Sequence, residues 1–437
     1  MKIRSLLLGS AAIAGLSTVG YAADLGVVTS LDVCDELGLS GLTISSDDNC
    51  LVITGNVNFE YDVGNYRGAT SKHLYGTFAN GNGGNGGNVY SVVDDIGQTD
   101  SNHGDVDAWL KFVGTSNSDF GPASATISLI SENNTGTKDW SVGIDEAWVG
   151  IGDTTMLMAG YKSSIFNKGD DVPLNYLGLF NSESVNTGVL WSAALGKGAK
   201  TGGDVIQVVS NLGNGISVGG GLEGLGQLNA LTGVGVISYA GDGVTAHVSG
   251  AVDTQSNWKI HAGFTGAWDP IKIVGAVAAD STGYYDALGS VAATFDMFTL
   301  AASGEAATDG YGVGGSASAT VTDGVTINLG GRYWHHYTGG GTSDGSTAYD
   351  LWQVEAGLSA AVTETVTLTG AVGYTDSGRT GFGSTSPAPL YNGDPAAFYG
   401  KAGVAWAPGG GFTAGSNITV SSLGGYEWVF TAAKSIK

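Results

Sequence analysis

Charged side chains are scarce in this sequence, and most of them are acidic. Asp, Glu, Lys and Arg make up 13% of the 437 residues, hydrophobic residues make up 42%, and 17 basic residues face 40 acidic ones. The formal net charge of −23 disfavours binding to nucleic acid. Apart from a stretch near the N-terminus, no apolar run is long enough for a membrane-spanning helix. This balance is typical of strands with one lipid-facing side and one water-facing side.

Proline is rare as well, with 7 residues, whereas glycine is abundant, with 75. The glycines do not follow a Gly-X-Y period, which excludes collagen. They also form no fixed internal repeat, which a secreted Gly-rich β-solenoid or adhesin would need. We therefore interpret the glycine-rich segments as turns and loops between strands.

Catalytic and metal-binding motifs are missing too. There is no His-Glu-x-x-His, no Gly-x-Ser-x-Gly and no cysteine pair at metal spacing. His103-Gly104-Asp105 could serve an outer-membrane hydrolase, but lone histidines near loops are more often merely solvated. Acidic loops can take hard divalent cations, yet none here has the spacing of a calcium-binding loop. The sequence predicts neither an enzyme, nor a metal site, nor a cofactor.

The N-terminal residues 1–22 have the pattern of a secretory signal peptide. Lys2 and Arg4 supply its positive charge, an apolar core spans residues 6–16, and small residues precede a cleavage site after Ala22. An uncleaved anchor helix is the alternative. We expect the chain to be exported into an oxidising compartment.

Only two cysteines are present, Cys34 and Cys50, so a single disulfide can form. Such a bridge would close a loop of about fifteen residues and contribute about 3 kcal/mol to stability. Two free buried thiols are the alternative. Residues 23–49 have weak periodicity, and we expect them to form a periplasmic segment without a strong element of its own.

From Cys50 onward the sequence alternates with period two, which indicates strands. Between Leu51 and Asp62, one face carries Ile53, Val57 and Phe59, while the other is polar. Similar stretches recur about every 12 residues and give about twenty strand candidates. We predict an all-β fold over residues 50–437: a transmembrane antiparallel β-barrel of about 16 to 20 strands.

The connections between these strands differ systematically in length. Seven tight turns lie at 153–154, 213–214, 241–243, 269–270, 296–297, 323–324 and 363–364. The interleaved long connections are 63–103, 163–203, 338–348 and 377–396. Short turns at one rim and long loops at the other are typical of outer-membrane barrels, and so are Trp258 and Trp268, which bracket one apolar strand face. We expect the connection at about 163–203 to fold inward as a constriction loop, because a long polar insertion in a regular meander is usually functional.

Several short segments resemble the general porins of alphaproteobacteria. They are Val33-Cys34-Asp35, Asn49-Cys50-Leu51, Glu146-Ala147-Trp148-Val149-Gly150, Gly160-Tyr161-Lys162-Ser163 and Asn211-Leu212-Gly213-Asn214-Gly215. The resemblance implies a sixteen-stranded trimeric barrel that passes small hydrophilic solutes. The chain departs from the family pattern at its end, because its last aromatic residue is Phe430.

Two sets of charged residues are candidates for lining the pore. The constriction candidates are Lys162, Lys168, Asp170, Asp171 and Glu183. The wall candidates, which face the lumen by alternation, are Lys111, Lys259, Lys272 and Arg332. Charges in a narrow passage set ion preference. We expect Asp170 and Asp171 to make the pore cation-preferring.

We therefore predict an outer-membrane porin for passive diffusion of small hydrophilic solutes and ions. Its expected partners are outer-membrane lipid, lipopolysaccharide and two further copies of the chain, with Gly275, Ala276, Ala278 and Ala279 permitting close approach between protomers. A substrate-specific channel is the alternative, for which Trp109 and Trp148 are the candidate lumen aromatics.

Overall fold

A computed structural model describes residues 34, 37, 39, 41–46, 48–64, 101–133, 141–166, 172–180, 182, 201–226, 231–308, 310–337, 349–376, 397–422 and 426–436. The strands are β1 (Leu42–Ser45), β2 (Asn49–Gly64), β3 (Ser101–Ser116), β4 (Ala123–Asn133), β5 (Ser141–Gly152), β6 (Thr155–Lys162), β7 (Gly203–Gly213), β8 (Ile216–Glu223), β9 (Thr232–Gly241), β10 (Val244–Asp253), β11 (Trp258–Trp268), β12 (Ile271–Asp280), β13 (Tyr285–Phe295), β14 (Phe298–Ala307), β15 (Gly310–Thr322), β16 (Val325–His336), β17 (Tyr349–Ala361), β18 (Val366–Asp376), β19 (Ala397–Gly409), β20 (Phe412–Ser421) and β21 (Tyr426–Ile436).

Twenty of these strands form a closed barrel. From β2 to β21, each strand pairs antiparallel with the next one along the chain, and β21 returns to pair with β2. This closing pair runs from Gly55 opposite Ile436 to Gly64 opposite Glu427. Closure leaves no unpaired sheet edge in this ring, which a membrane-spanning sheet requires because lipid cannot hydrogen-bond an exposed backbone.

Beyond the end of β21, the short strand β1 pairs with the same edge of β2. Leu42 lies opposite Ile53 and Ser45 opposite Cys50, so β1 takes the place of β21 below Gly55. Cys50 is bonded to Cys34, with a Cα–Cα distance of 5.0 Å. The predicted disulfide is confirmed. Residues 23–49 were expected to hold no strong element, and the strand found there among the described residues is only the four-residue β1, which forms by backbone pairing to the overhanging end of β2.

The two faces of the barrel wall have opposite character. On β11, Trp258, Ile260 and Trp268 are exposed on the outer face, while the alternate residues Lys259 and His261 are buried on the inner face. Period-two alternation places successive side chains on opposite sides of a strand. An outward apolar band with aromatics at both ends and a polar interior is the architecture of bacterial outer-membrane barrels, and it places the chain in the outer membrane.

The tight turns lie at one rim, as predicted. The turns after β7 and β9 have the sequences Asn214-Gly215 and Asp242-Gly243, and all four residues have positive φ between 50° and 79°. Asn-Gly and Asp-Gly are the preferred pairs for such two-residue hairpin turns. The long connections all lie at the opposite rim, including the loop between β6 and β7.

The strand number departs from the resemblance. The resemblance to the general porins of alphaproteobacteria implied sixteen strands. The ring instead has twenty strands, the number that the alternation pattern indicates. No helix among the described residues is long and apolar enough to cross a membrane.

Candidate pore and constriction

The connection between β6 and β7 enters the barrel instead of extending away from it. Leu179 in this loop is fully buried and packs against Val274, Ala276 and Leu288 on the inner faces of β12 and β13. Ala278 belongs to the same cluster. Ala276 and Ala278 alternate in step with Val274, so both face inward. The expectation that they lie between protomers is therefore wrong. Of the four small residues named for this contact, Gly275 and Ala279 face outward.

The root of the loop is held by one buried carboxylate. Glu223, the last residue of β8, accepts hydrogen bonds from the backbone amides of Ile165 (3.3 Å) and Gly202 (2.6 Å). Gln207 donates to the same carboxylate and to the Ser163 carbonyl. These contacts gather the first and last residues of the loop at one point on the inner wall.

Further along, serine side chains of the wall bind the loop. The hydroxyls of Ser290 and Ser316 accept hydrogen bonds from the backbone amides of Leu174 (2.9 Å) and Tyr176 (3.0 Å). On the loop itself, Ser182 donates to Glu305 at 2.5 Å. Short polar side chains can satisfy loop backbone groups without filling the lumen, because a buried backbone group must find a partner.

Arg332 on β16 binds the same part of the loop. Its guanidinium donates to the carbonyls of Leu177 (2.9 Å) and Leu179 (3.1 Å), and it lies 4.3 Å from the ring centroid of Phe180. A planar guanidinium suits this combination of carbonyl and aromatic contacts.

The described loop segment around Tyr176, which we call the loop tip, lies in a glycine cradle and binds a second carboxylate. A Cβ atom at Gly357 would overlap the hydroxyl of Tyr176, and one at Gly330 would lie 3.0 Å from its ring. The Tyr176 hydroxyl donates to Glu355 at 2.7 Å. Glu355 also accepts from Tyr399 at 2.5 Å and from Lys401 at 2.8 Å.

The loop covers one part of the inner wall and leaves another part open. Inward residues of β9 to β13 such as Val234, Ala251 and Ala278 are buried. By contrast, the inward residues Thr369, Ala405 and Asn417 on β18 to β20 are exposed. We call the inner faces of β18 to β21 the open wall. The eyelet is the passage between this wall and the loop.

A second group of charges lies on the inner faces of β3, β5 and β6, at the start of the loop. Lys111 donates to Glu146 at 3.3 Å, and Ser163 donates to the other oxygen of that carboxylate at 3.3 Å. The Lys162 ammonium lies 4.8 Å from the ring centroid of Trp148. Both predicted lysines therefore lie in the lumen, close to a carboxylate that partly offsets their charge.

Acidic groups outnumber basic ones among the described inward-facing residues. The inward acidic residues are Glu60, Asp62, Asp105, Asp107, Glu146, Glu223, Asp253, Asp280, Asp286, Glu305, Glu355 and Glu427. The inward basic residues are Lys111, Lys162, Lys259, Lys272, Arg332 and Lys401. The described inward-facing side chains therefore carry a net negative formal charge.

The structure sorts the predicted site residues into three groups. Lys111 and Lys162 face inward near Glu146 and Trp148. Lys259 and Arg332 also face inward, but they lie beneath the loop, with Lys259 bound to Thr201 at 3.1 Å. Lys272 faces inward beside the turn at 269–270, at the short-turn rim. Lys168, Asp170, Asp171 and Glu183 lie outside the described residues.

Four residues of the site were not predicted: Glu223, Glu355, Lys401 and Tyr176. Alternation along β17 and β19 would have placed Glu355 and Lys401 inward. Alternation along β8 likewise places Glu223 inward, but the loop contacts of Glu223 and Tyr176 join distant parts of the sequence and carry no local signal. Among the described residues, no group of three His, Cys, Asp or Glu side chains could hold a metal ion.

Comparison with known proteins gives only distant likeness. No protein-family signature matches the chain, and neither does any curated protein. The solved outer-membrane channel DcaP of Acinetobacter baumannii is similar with a TM-score of 0.39 and 12% identity over 91% of this chain and all of that one. A triple mutant of the Rhodopseudomonas blastica porin is similar with a TM-score of 0.39 and 12% identity over 88% of this chain and 99% of that one. Likeness at this level carries no argument, so the assignment of the barrel rests on its own pairing and faces.

Proposed function

We propose that the chain is a porin: a water-filled outer-membrane channel for passive diffusion of small hydrophilic solutes and ions. The observation that carries the proposal is the division of the lumen. A loop covers one part of the inner wall, and the open wall beside it is polar and exposed. A closed barrel whose interior is partly filled by an inward loop leaves a narrowed aqueous passage.

A liposome-swelling assay with saccharides of increasing size tests this proposal. We expect swelling rates that fall steeply with solute size, because the loop narrows the passage. Liposomes that take up only one saccharide, at a rate that saturates with concentration, would favour the substrate-specific alternative. That alternative has some support, since Trp109 and Trp148 both face inward and are half-exposed. The β-solenoid or adhesin alternative is wrong, because the strands close into a barrel.

We propose that the pore prefers cations. Support comes from the excess of inward acidic residues and from the position of Asp170 and Asp171 in the sequence of the constriction loop. Two adjacent carboxylates in a narrow passage keep some charge even when one is protonated.

We propose further that the chain is a homotrimer. Outward-facing glycines lie in register across neighbouring strands: Gly220, Gly235 and Gly250 on β8 to β10, and Gly275, Gly289 and Gly304 on β12 to β14. A Cβ atom at Gly289 would meet nothing within 4 Å, so packing inside the barrel does not require glycine there. Glycine in a strand often marks the close approach of another backbone. Native mass measurement should give three chains, and Gly289→Leu should weaken the assembly; a wild-type monomer would refute the proposal.

The outer face at the long-loop rim supports a contact with lipopolysaccharide. Tyr311, His335 and Tyr337 form a ring cluster with centroid distances of 5.3 to 6.1 Å. Tyr333 and His335 both bind Asp350 at 2.7 Å, which gives the cluster a polar tip. Amphipathic aromatics favour the headgroup level of a membrane. Tyr311→Ala with Tyr337→Ala should reduce co-purified lipopolysaccharide, and an unchanged amount would contradict the contact.

The roles of the N-terminal residues 1–22 and 23–49 are also proposals. We propose that residues 1–22 are removed as a signal peptide and that residues 23–49 lie on the periplasmic side. The short-turn rim, next to β1, faces the periplasm in barrels of this type. N-terminal sequencing of the membrane-inserted protein should begin at Ala23.

A further inference from the structure

Glu223 is fully buried at the end of β8, and its carboxylate accepts three hydrogen bonds. Its Oε1 accepts from the Ile165 amide at 3.3 Å and from Gln207 Nε2 at 2.9 Å, and its Oε2 accepts from the Gly202 amide at 2.6 Å. Ile165 and Gly202 lie on opposite sides of the loop insertion. One side chain therefore joins the two ends of the loop to each other and to the wall.

The surroundings of Glu223 keep water away from this junction. Ile165 and Phe166 pack with Val234, Val236 and Ala251 in one buried apolar cluster. Hydrogen bonds to a charged acceptor are about twice as strong as neutral ones, and a low local dielectric strengthens them further. The same low dielectric makes an unsatisfied amide at either loop end costly.

Lys259 completes the junction from β11. Its ammonium donates to the hydroxyl of Thr201 at 3.1 Å and lies 4.7 Å from the ring centroid of Phe166. It thus contacts the residue just before Gly202 and the residue just after Ile165. A buried cation in this place also offsets the charge of the Glu223 carboxylate.

We propose that Glu223 is a positioning residue of the channel, which sets the width of the eyelet by holding both ends of the constriction loop together. The proposal rests on the proposed channel function and adds to it the residue that fixes the constriction. Glu223 acts through the loop, since its described hydrogen bonds all go to loop residues and Gln207. The proposal requires a carboxylate, because only a carboxylate offers two acceptor oxygens; glutamine offers one acceptor and one donor.

Conductance of four purified proteins in planar bilayers tests the proposal: wild type, Glu223→Gln, Glu223→Ala and Asp253→Asn. Asp253 is the matched control, since it is also a buried inward carboxylate, but it binds the turn residues Gln255 and Asn257 instead of the loop. We expect conductance to rise roughly twofold in Glu223→Ala, because the passage widens when both ends are released. Asp253→Asn removes one inward charge and leaves both loop ends bound, so Glu223→Gln, which removes the same charge, should conduct more than Asp253→Asn and less than Glu223→Ala.

Trypsin digestion of the folded proteins in detergent gives a second readout that does not require a channel. The loop sequence contains Lys168, Lys197 and Lys200 as cleavage sites. We expect faster cleavage at these sites in both Glu223 variants. The mobility of the unheated protein on gels, which reports the folded barrel, should be unchanged. If the wild type does not conduct but cleavage accelerates, the channel function fails and the positioning role stands. If folded Glu223→Gln, the isosteric variant, shows wild-type conductance and wild-type cleavage, the positioning role is refuted.

Discussion

The hydroxyl of Tyr176 donates a hydrogen bond to Glu355 at 2.7 Å, which fixes the tip of the constriction loop to the inner face of β17. The same carboxylate binds Tyr399 and Lys401 on β19, which is part of the open wall. The loop tip and the charges beside the passage thus share one network. A change in Tyr176 should therefore alter both the width of the eyelet and the charge that lines it.

Tyr176→Phe removes this hydrogen bond and keeps the ring. A hydrogen bond to a charged group contributes about 2 kcal/mol, so the loop tip should leave its position more often. We expect brief upward steps in single-channel current that the wild type lacks. Tyr374→Phe, a change on the outer face, is the control and should leave the current trace unchanged. Identical traces for Tyr176→Phe and wild type would show that the tyrosine hydroxyl does not hold the tip.

Gly357→Ala should displace Tyr176 without removing any polar group. The new methyl group would overlap the Tyr176 hydroxyl, so the ring must move out of its cradle. We expect higher mean conductance than in the wild type. Gly114→Ala adds the same methyl group on β3, where a Cβ meets nothing within 4 Å, and it should have no effect. Equal conductance of the two variants would contradict the cradle.

The proposed cation preference rests on the excess of inward acidic residues and on the position of Asp170 and Asp171 in the sequence of the constriction loop. In a potassium chloride gradient, the reversal potential should show cation preference. Asp170→Asn combined with Asp171→Asn should reduce this preference, because two negative charges are removed from the sequence of the constriction loop. Anion preference in the wild type would refute the proposal. An unchanged potential in the double variant would place the selectivity on other residues, such as Glu146 and Glu355.

The disulfide between Cys34 and Cys50 should stabilise the junction of β1 and β2. Cys34→Ser should lower the free energy of unfolding by about 3 kcal/mol, because the unfolded chain gains the freedom of an open loop. Denaturant unfolding of the oxidised wild type and the variant measures the difference. Intact mass under non-reducing conditions must show no free thiols in the wild type. Equal stability of the two proteins would mean that the bridge does not constrain the unfolded chain.

The sequence predicted the barrel well because its signals are local. Alternation along each strand, as between Ile260 and His261, depends only on the two faces of that strand. Several tight turns also carry their own Asn-Gly or Asp-Gly pair, as at Asn214-Gly215 and Asp242-Gly243. The twenty strand candidates are confirmed for the same reason, whereas the sixteen strands that the resemblance implied are wrong. A few short shared motifs do not predict the number of strands, because that number depends on the whole sequence.

The constriction was predicted only in outline. Its location between β6 and β7 followed from the length of the polar insertion. Its anchors did not, because the contacts of Glu223 with Ile165 and of Tyr176 with Glu355 join residues that are far apart in the sequence. Alternation placed Lys259 and Arg332 inward, but it could not show that both lie beneath the loop. Period two gives the face of a residue and carries no information about what covers that face.

The most direct test of the account is the single-channel conductance of the purified protein in a planar bilayer. The account predicts stepwise current increments of uniform size, with a conductance that rises in proportion to salt concentration, because a water-filled passage conducts by diffusion of hydrated ions. Protein that inserts into the bilayer as a folded barrel but gives no current steps at any salt concentration would contradict it.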